Sequence, residues 1–368
     1  MMEDGTEQIH VWLDCDPGHD DAFAILLAAH LPSIKLIGIS TVYGNASLAR
    51  TTYNALSILT AMGKTDVPVY SGASSGLVRP EVHAPDIHGE SGLDGTDLLP
   101  VPTAKAKDKP AVEAMAEALL KCEAGTTWVV ATGATTNVAQ LFMTYPDLAI
   151  HVKGLSIMGG AIGGGYTNVV MGKVGDIERI GNWSQWAEFN ILIDPEAAAS
   201  LFDNPILAAK TVLTPLDVTH QVLATADIQD LLLHGKGCVK GKTTLRTMLV
   251  ELLTFFAKTY ADVFGITEGP PLHDPLAVAV CLDGIVGAEI PFFDFVEGGK
   301  RERYKVQIIT EGSHDEAHAG AETGRTVATL LPDGQEGVKI PRGLDVARFW
   351  SVVEDCMERA DKINRDLA

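Results

Sequence analysis

The chain has 368 residues, 46% of them hydrophobic, and five scattered cysteines without a C-x-x-C pair, so it can bury a large core but suggests neither a disulfide framework nor a zinc knuckle. A formal net charge of −20 and a pI of about 4.8 disfavour nucleic acid and anionic membranes as partners and suit neutral or cationic small molecules. The opening MMEDGTEQIH has no basic n-region or apolar h-region, and runs such as AFAILLAA fall short of a bilayer span, which predicts no signal peptide, no membrane helix and a reducing, cytoplasmic setting.

Residues 1–8 read as a flexible N-terminus and 9–368 as a single domain. Along it, IHVWLDCD (from residue 9), IKLIGISTVYG (34), VPVYSG (67), TTWVVATG (126), LSIMGG (155) and TVLTPLDVTH (211) read as strands. Residues 20–31, 47–63, 111–122, 136–146 and 194–204 have helical periodicity, the last opening on Asp194-Pro195, an N-cap followed by proline at the first helical position. This alternation predicts an α/β fold with a mostly parallel central sheet flanked by helices. In such sheets ligands sit beyond the carboxyl ends of the strands. The polar clusters Asp14 to Asp21, Tyr43 to Asn45, Thr132 to Asn137 and Met158 to Gly160 each follow a predicted strand, so they should converge.

Residues 161–181 are glycine-rich and weakly periodic, which predicts a long loop. They have neither a G-x-G-x-x-G opening a helix nor a Walker lysine, so a lid is expected rather than a phosphate cradle. From about residue 225 the pattern is helical, with TTLRTMLVELLTFFAKTYADVFG its longest stretch, followed by GPPLHDPLAVAVCLDG. Two strand-like runs, RYKVQIITEG and GRTVATLLP, precede a closing helix that carries Trp350.

The segment VWLDCDPGHDDAFAILLAAH crowds Asp14, Asp16, Asp20 and Asp21 into eight residues. Two charges about 4 Å apart repel by roughly 4 kcal/mol at an effective dielectric near 20. A helix N-terminus returns only about 0.3 to 1 kcal/mol to each carboxylate. Protonation, free solvation or a bound cation must make up the difference. The apolar flanks VWL and AFAILL argue against free solvation and favour the cation. All the charged donors are oxygens, which suits Ca²⁺ or Mg²⁺ rather than Zn²⁺, and the EF-hand spacing is absent. Asp16 and Asp21 would clasp the ion from two sides. Asp274, in PPLHDPLAV, is either a distant further ligand or simply a helix N-cap.

The motifs DCDPGHDD, YGN, IHGESGLDG, ATGATTNVA, IMGG, AEFNILIDPEAA and HDP occur in this order, and with them the chain resembles the inosine-uridine nucleoside hydrolase family, most closely its uridine nucleosidase type. The resemblance runs from about residue 9 to residue 284 and more weakly through the closing helix. It implies Ca²⁺-dependent hydrolysis of the N-glycosidic bond of ribonucleosides to ribose and free base. Motif by motif, it implies that Asp16, Asp21, Asp274 and the Thr132 carbonyl hold Ca²⁺, and that Asp20 and Asn45 bind the ribose diol. Asn182, Glu188 and Asn190 would grip the other ribose hydroxyls, with Met158 under the ring. Asp16 is the candidate base, His273 the candidate donor to the leaving base, and His88 a base-side contact. Phe189 would stack in the base pocket. For Trp183 and Trp186 ordinary packing is the stronger reading. Asp14 would support the site from behind, Cys15 is inert packing, and His19 would merely face solvent. A homodimer or homotetramer is the assembly the family suggests.

The resemblance has one departure: the 161–181 loop is longer than usual, which leaves base preference open among uridine, cytidine, purine nucleosides and nicotinamide riboside. An aspartate-nucleophile phosphatase would also place D-x-D after the first strand, but it needs Thr or Val where Gly18 stands. A non-catalytic Ca²⁺-dependent nucleoside binder could have nearly the same site, and turnover separates the two.

Overall fold

The computed structural model describes residues 8–174, 176–236, 243–255, 257–296 and 299–367; most of the predicted N-terminal segment and Cys238 lie outside them. Six parallel strands form the central sheet: β1 (Ile9–Cys15), β2 (Ile34–Thr41), β3 (Val69–Ser71), β4 (Thr127–Ala131), β5 (Gly154–Met158) and a sixth, Thr211–Thr214. Their order is β3-β2-β1-β4-β5-sixth, so the direction of winding reverses between β1 and β4. At such a reversal the flanking loops separate and leave a crevice at the carboxyl edge of the sheet.

Alternation in β1 divides its side chains between two cores. Val11, Leu13 and Cys15 join the cluster built around α1 (Asp21–His30), whereas Trp12 joins the cluster on the opposite face. Trp12 is 1% exposed, and its indole covers Gly38 of β2, where an added Cβ would come 2.5 Å from the ring. Helix α1 is buried along nearly its whole length and packs against the helices Pro275–Ala279 and Val346–Leu367. Its sequence is accordingly apolar on every face rather than along one stripe.

The predicted α/β architecture is the one observed, and the five predicted helices lie within about two residues of their expected bounds. The run TVLTPLDVTH differs: the strand stops at Thr214, because Pro215 has no N–H for the ladder, and Leu216–Thr219 turns into one helical turn. The loop at 161–181 contains a short antiparallel ladder, Lys173–Val174 with Ile177–Glu178. Its start is tied down by buried Asp217, whose carboxylate accepts from the Ile162 and Gly163 N–H groups at 2.7 and 2.9 Å.

The strands Tyr304–Ile308 and Thr326–Leu330 pair antiparallel, outside the main sheet. Arg79 joins this appendage to the body, reaching Glu196 at 2.7 Å and the Thr310 carbonyl at 2.6 Å. The closing helix is locked by Arg246, which is 1% exposed and bonds Glu354 at 2.8 and 3.0 Å, Asp361 at 2.5 Å and the Leu232 carbonyl at 2.6 Å. Glu354→Ala leaves that guanidinium buried and half-paired, so urea unfolding should show a loss of about 3–5 kcal/mol. A loss below about 1 kcal/mol would mean that water replaces the missing partner at no cost.

Candidate active site

The end of β1, the turn that follows it and the start of α1 place Asp14, Asp16, Asp20 and Asp21 at the carboxyl end of the sheet, and all four are buried. Asp14 faces Ser40 of β2 and Ala131 of β4 in the register. Its carboxylate accepts from the Ser40 hydroxyl and, at 2.8 Å, from the Asn137 amide, and burial raises its pKa to about 7. It therefore sits inside the sheet edge, one layer behind the others.

Asp21 accepts from the Gly18 N–H at 2.9 Å, the Thr132 hydroxyl at 2.9 Å and the Asn45 amide at 3.3 Å. Asn45 also donates its backbone N–H to Asp16 Oδ2 at 2.8 Å and its side-chain amide to the Asp16 carbonyl at 3.1 Å, so one residue links both carboxylates. Asp16 Oδ1 is buried and has no hydrogen-bond partner among the described residues. Two glycines keep space for that carboxylate. An added Cβ would come 2.0 Å from Oδ2 at Gly44 and 2.4 Å from Oδ1 at Gly133.

Asp20, Asp21 and Asp274 bring carboxylate oxygens within 4.8 Å of one another. Burial, then the charge of Asp20, raises the Asp21 pKa to about 6 and that of Asp274 well above the usual range. Asp16 is raised by burial and by Asp21, and Asp20 chiefly by burial. The Asp21 and Asp274 carboxyls stand close together, a placement that a shared proton or a bound cation relieves. Asp274 makes no side-chain capping bond to its own helix, so the simple N-cap reading does not describe its side chain. An orphaned buried oxygen, oxygen-only donors and mutually repelling carboxylates fit a hard metal ion.

The eight residues assigned to substrate, Asp20, Asn45, His88, Met158, Asn182, Glu188, Phe189 and Asn190, line one pocket, together with Thr132, His273 and Asp274. Asp16 and Asp21 are outside this lining and touch it through Asn45. The AEFN motif folds back on itself. Glu188 caps the helix Phe189–Ile193, accepting from the Asn190 and Ile191 N–H groups at 2.9 and 3.1 Å and from Gly160 N–H at 2.9 Å. Burial raises its pKa to about 7. Asn182 Oδ1 accepts from the Phe189 N–H at 2.9 Å. The Asn190 amide donates to the Thr132 carbonyl at 2.8 Å, leaving that oxygen a second lone pair.

Part of the lining is aromatic. His273 lies between the Thr219 hydroxyl, 2.7 Å from Nδ1, and the Tyr260 hydroxyl, 2.6 Å from Nε2. Burial lowers its pKa to about 3, so the ring is neutral. Tyr260, which also hydrogen-bonds Asn182, and Phe264 line the pocket, and neither was singled out from the sequence. Their i, i+4 spacing in TYADVFG, beside a stretch read only as helical, was the available signal. Trp183 also lines the pocket, 4.8 Å from Phe189, whereas Trp186 packs outside it, under Arg325 and against Gly320.

His19 does not face solvent, as the sequence suggested. It is fully buried, stacked on Phe255 at 4.9 Å and on His88 at 5.1 Å. Its Nε2 lies 2.7 Å from the Asp94 carbonyl, which can only accept, so Nε2 carries the hydrogen. Burial holds His19 neutral near pH 7, and its Nδ1 then accepts from His88 Nδ1 at 2.9 Å. In neutral His88 this makes Nε2 the acceptor. Cys15 is buried, and burial pushes its thiol well up, as inert packing requires.

Among the described residues no helix is long and apolar enough to cross a membrane. The chain is similar to the uridine nucleosidase of Saccharomyces cerevisiae, with 38% identity over 98% of both chains. It is 39% identical to a pyrimidine-specific ribonucleoside hydrolase of Escherichia coli, over 73% of this chain and 78% of that one. Its fold matches a purine-preferring ribonucleoside hydrolase from Gardnerella vaginalis, with a TM-score of 0.75, 27% identity and coverage of 96% and 99%. The sequence pattern of the inosine-uridine preferring nucleoside hydrolases matches residues 11–351, and the chain, a ribonucleoside hydrolase, belongs to that family.

Proposed function

We propose that the chain hydrolyses pyrimidine ribonucleosides, uridine foremost, to ribose and free base, with Ca²⁺ bound at the acidic cluster. The observation that carries this reading is one pocket lined by two kinds of group. Hydrogen-bonding carboxylates and amides line it together with the rings of His88, Tyr260 and His273. The pyrimidine preference is supported by the higher identity to the yeast and Escherichia coli relatives than to the purine-preferring one.

Asp16, Asp21, Asp274 and the Thr132 carbonyl hold the ion in this reading. Bound there, Ca²⁺ supplies positive charge that eases deprotonation of a nearby water and attracts the ribose diol. Asp20 and Asn45 orient the 2′- and 3′-hydroxyls; Asn182, Glu188 and Asn190 hold the remaining ones; and Met158 supports the ring. Asp16 takes a proton from the water through Oδ1 as the water oxygen bonds to C1′. The C1′–N bond breaks and its electron pair leaves with the base. In the transition state this cleavage runs ahead of bonding to the water oxygen, so positive charge develops on the ribose beside the carboxylates, which stabilise it. His273, neutral and held at both ring nitrogens by the Thr219 and Tyr260 hydroxyls, acts as donor to the leaving base through the Tyr260 hydroxyl, which hydrogen-bonds the base while it takes up its proton from solvent. Residues 161–181 serve as the lid of the single domain formed by residues 9–368, and Gly172 packs this loop against Phe264 of the pocket wall. Cytoplasmic residence and a homodimer or homotetramer belong to the same reading, supported by the family resemblance and by free Cys15, Cys122, Cys281 and Cys356 thiols.

A panel of ribo- and 2′-deoxyribonucleosides, assayed for reducing sugar without phosphate, should give turnover with uridine and little with 2′-deoxyuridine. Equal rates on the two would contradict recognition of the diol. Asp16→Asn should keep the circular dichroism of the parent yet lower kcat by about 10² to 10⁴; full activity would exclude Asp16 as the base. Ca²⁺ at about 100 times its Kd should stabilise chelator-treated protein by about 2.7 kcal/mol, read as a rise in Tm. Asp21→Asn should abolish most of that rise, and a rise of the same size in both proteins would place the ion elsewhere.

A further inference from the structure

Phe264 stands between two spaces. Its ring lines the nucleoside pocket, and it also lines a neighbouring cavity of about 940 Å³ walled by the glycine-rich loop. Arg179 lines the second cavity and not the first, and its guanidinium lies 4.9 Å from the centroid of the Phe264 ring. The cation therefore covers the face of the ring turned away from substrate. Arg179 is only 8% exposed, and it is fixed by carbonyls of its own segment, donating from Nε to Gly181 at 2.7 Å and from Nη2 to Ser184 at 3.4 Å.

The loop closes on the same ring from another direction. An added Cβ at Gly172 would come 3.2 Å from the Cα and the ring of Phe264. His220, whose Nδ1 lies 2.8 Å from the Val170 carbonyl, sits 5.9 Å from Phe264 and 5.7 Å from His273, ring to ring. Phe264 also stacks on Tyr260 at 5.0 Å, and on the side of the rear cavity the contacts of Arg179, Gly172 and His220 hold the ring in the pocket wall.

Resting on the hydrolase reading above, we propose that Arg179 is a specificity-determining positioning residue that holds Phe264 against the leaving base and so limits the size of base admitted. It touches no substrate atom. Without the guanidinium the ring gains access to the rear cavity, the pocket widens on the base side, and larger purine bases are admitted. The Gly181 and Ser184 contacts flank Asn182, so loss of Arg179 also affects ribose binding. That effect is common to all nucleosides and cancels in a ratio between two of them.

The test is the ratio of kcat/KM for uridine over inosine. Arg179→Ala should lower it by about tenfold, the scale on which pocket size discriminates, while Arg179→Lys, which keeps a cation for the ring, should stay within about twofold of wild type. An unchanged ratio in a folded Arg179→Ala overturns the inference. If that variant fails to fold, Phe264→Leu decides: the ratio falls if the ring sets the limit, and an unchanged ratio overturns it. Wild-type protein that releases ribose from neither nucleoside would instead overturn the function proposed above, since this inference concerns only the ratio once turnover is present.

Discussion

Burying several carboxylates in one crevice is the constraint around which this molecule is organised. Asp16, Asp20, Asp21 and Asp274 are each at most 5% exposed, and neither solvent nor a neighbouring lysine or arginine among the described residues neutralises them. Both oxygens of Asp21 and Oδ2 of Asp16 are met by neutral donors: the Gly18 and Asn45 N–H groups, the Thr132 hydroxyl and the Asn45 amide. Neutral donors partly replace hydration but do not cancel charge. A cation or shared protons must complete the balance, and the cluster is poised between the two.

The fold makes this concentration of charge possible by collecting it from elements distant in sequence. The reversal between β1 and β4 opens the crevice, the β1–α1 turn fills it with acid, and Thr132 at the end of β4 reaches across to Asp21. Asn45, following β2, bridges Asp16 and Asp21 from the other side. The apolar character of α1 follows from the same demand. A helix that begins in the site must run directly into the core, packed against both the Asp274-bearing helix and the closing helix, so the acid at its start is screened from water by the body of the protein.

Much of this was legible in the sequence because strand–helix alternation is a local signal and the strand ends are where ligands gather. The acidic turn pointed to a hard cation by charge arithmetic alone, whereas the ribose assignments came from the order of motifs. What escaped was set by tertiary packing. Tyr260 and Phe264 look like any helical core pair until the loop 161–181 and the 273–274 segment are placed around them. His19 stands in an acidic, turn-like stretch, and only the arrival of Phe255 and Asp94 from far along the chain buries it. The strand predicted through His220 failed for a local reason, Pro215, which a stricter reading of the ladder's need for N–H groups would have caught.

The two walls of the pocket are held by different kinds of force. Among the residues proposed to hold the ribose, the polar side chains are tied to backbone: Glu188 to three N–H groups, Asn182 to one, Asn190 to the Thr132 carbonyl. Such bonds have narrow geometry, so this wall cannot shift without losing several at once. The base side consists largely of rings held by stacking, by single hydroxyl contacts and by the glycine-rich loop behind them. Dispersion contacts tolerate displacement far better than hydrogen bonds of fixed direction. Rigidity is therefore concentrated where the charge of the reaction develops, and adaptability where the departing base must be accommodated. Under the proposed function, a chain built in this way would vary the base it accepts through residues such as Arg179 that lie behind the rings, without disturbing the buried carboxylates.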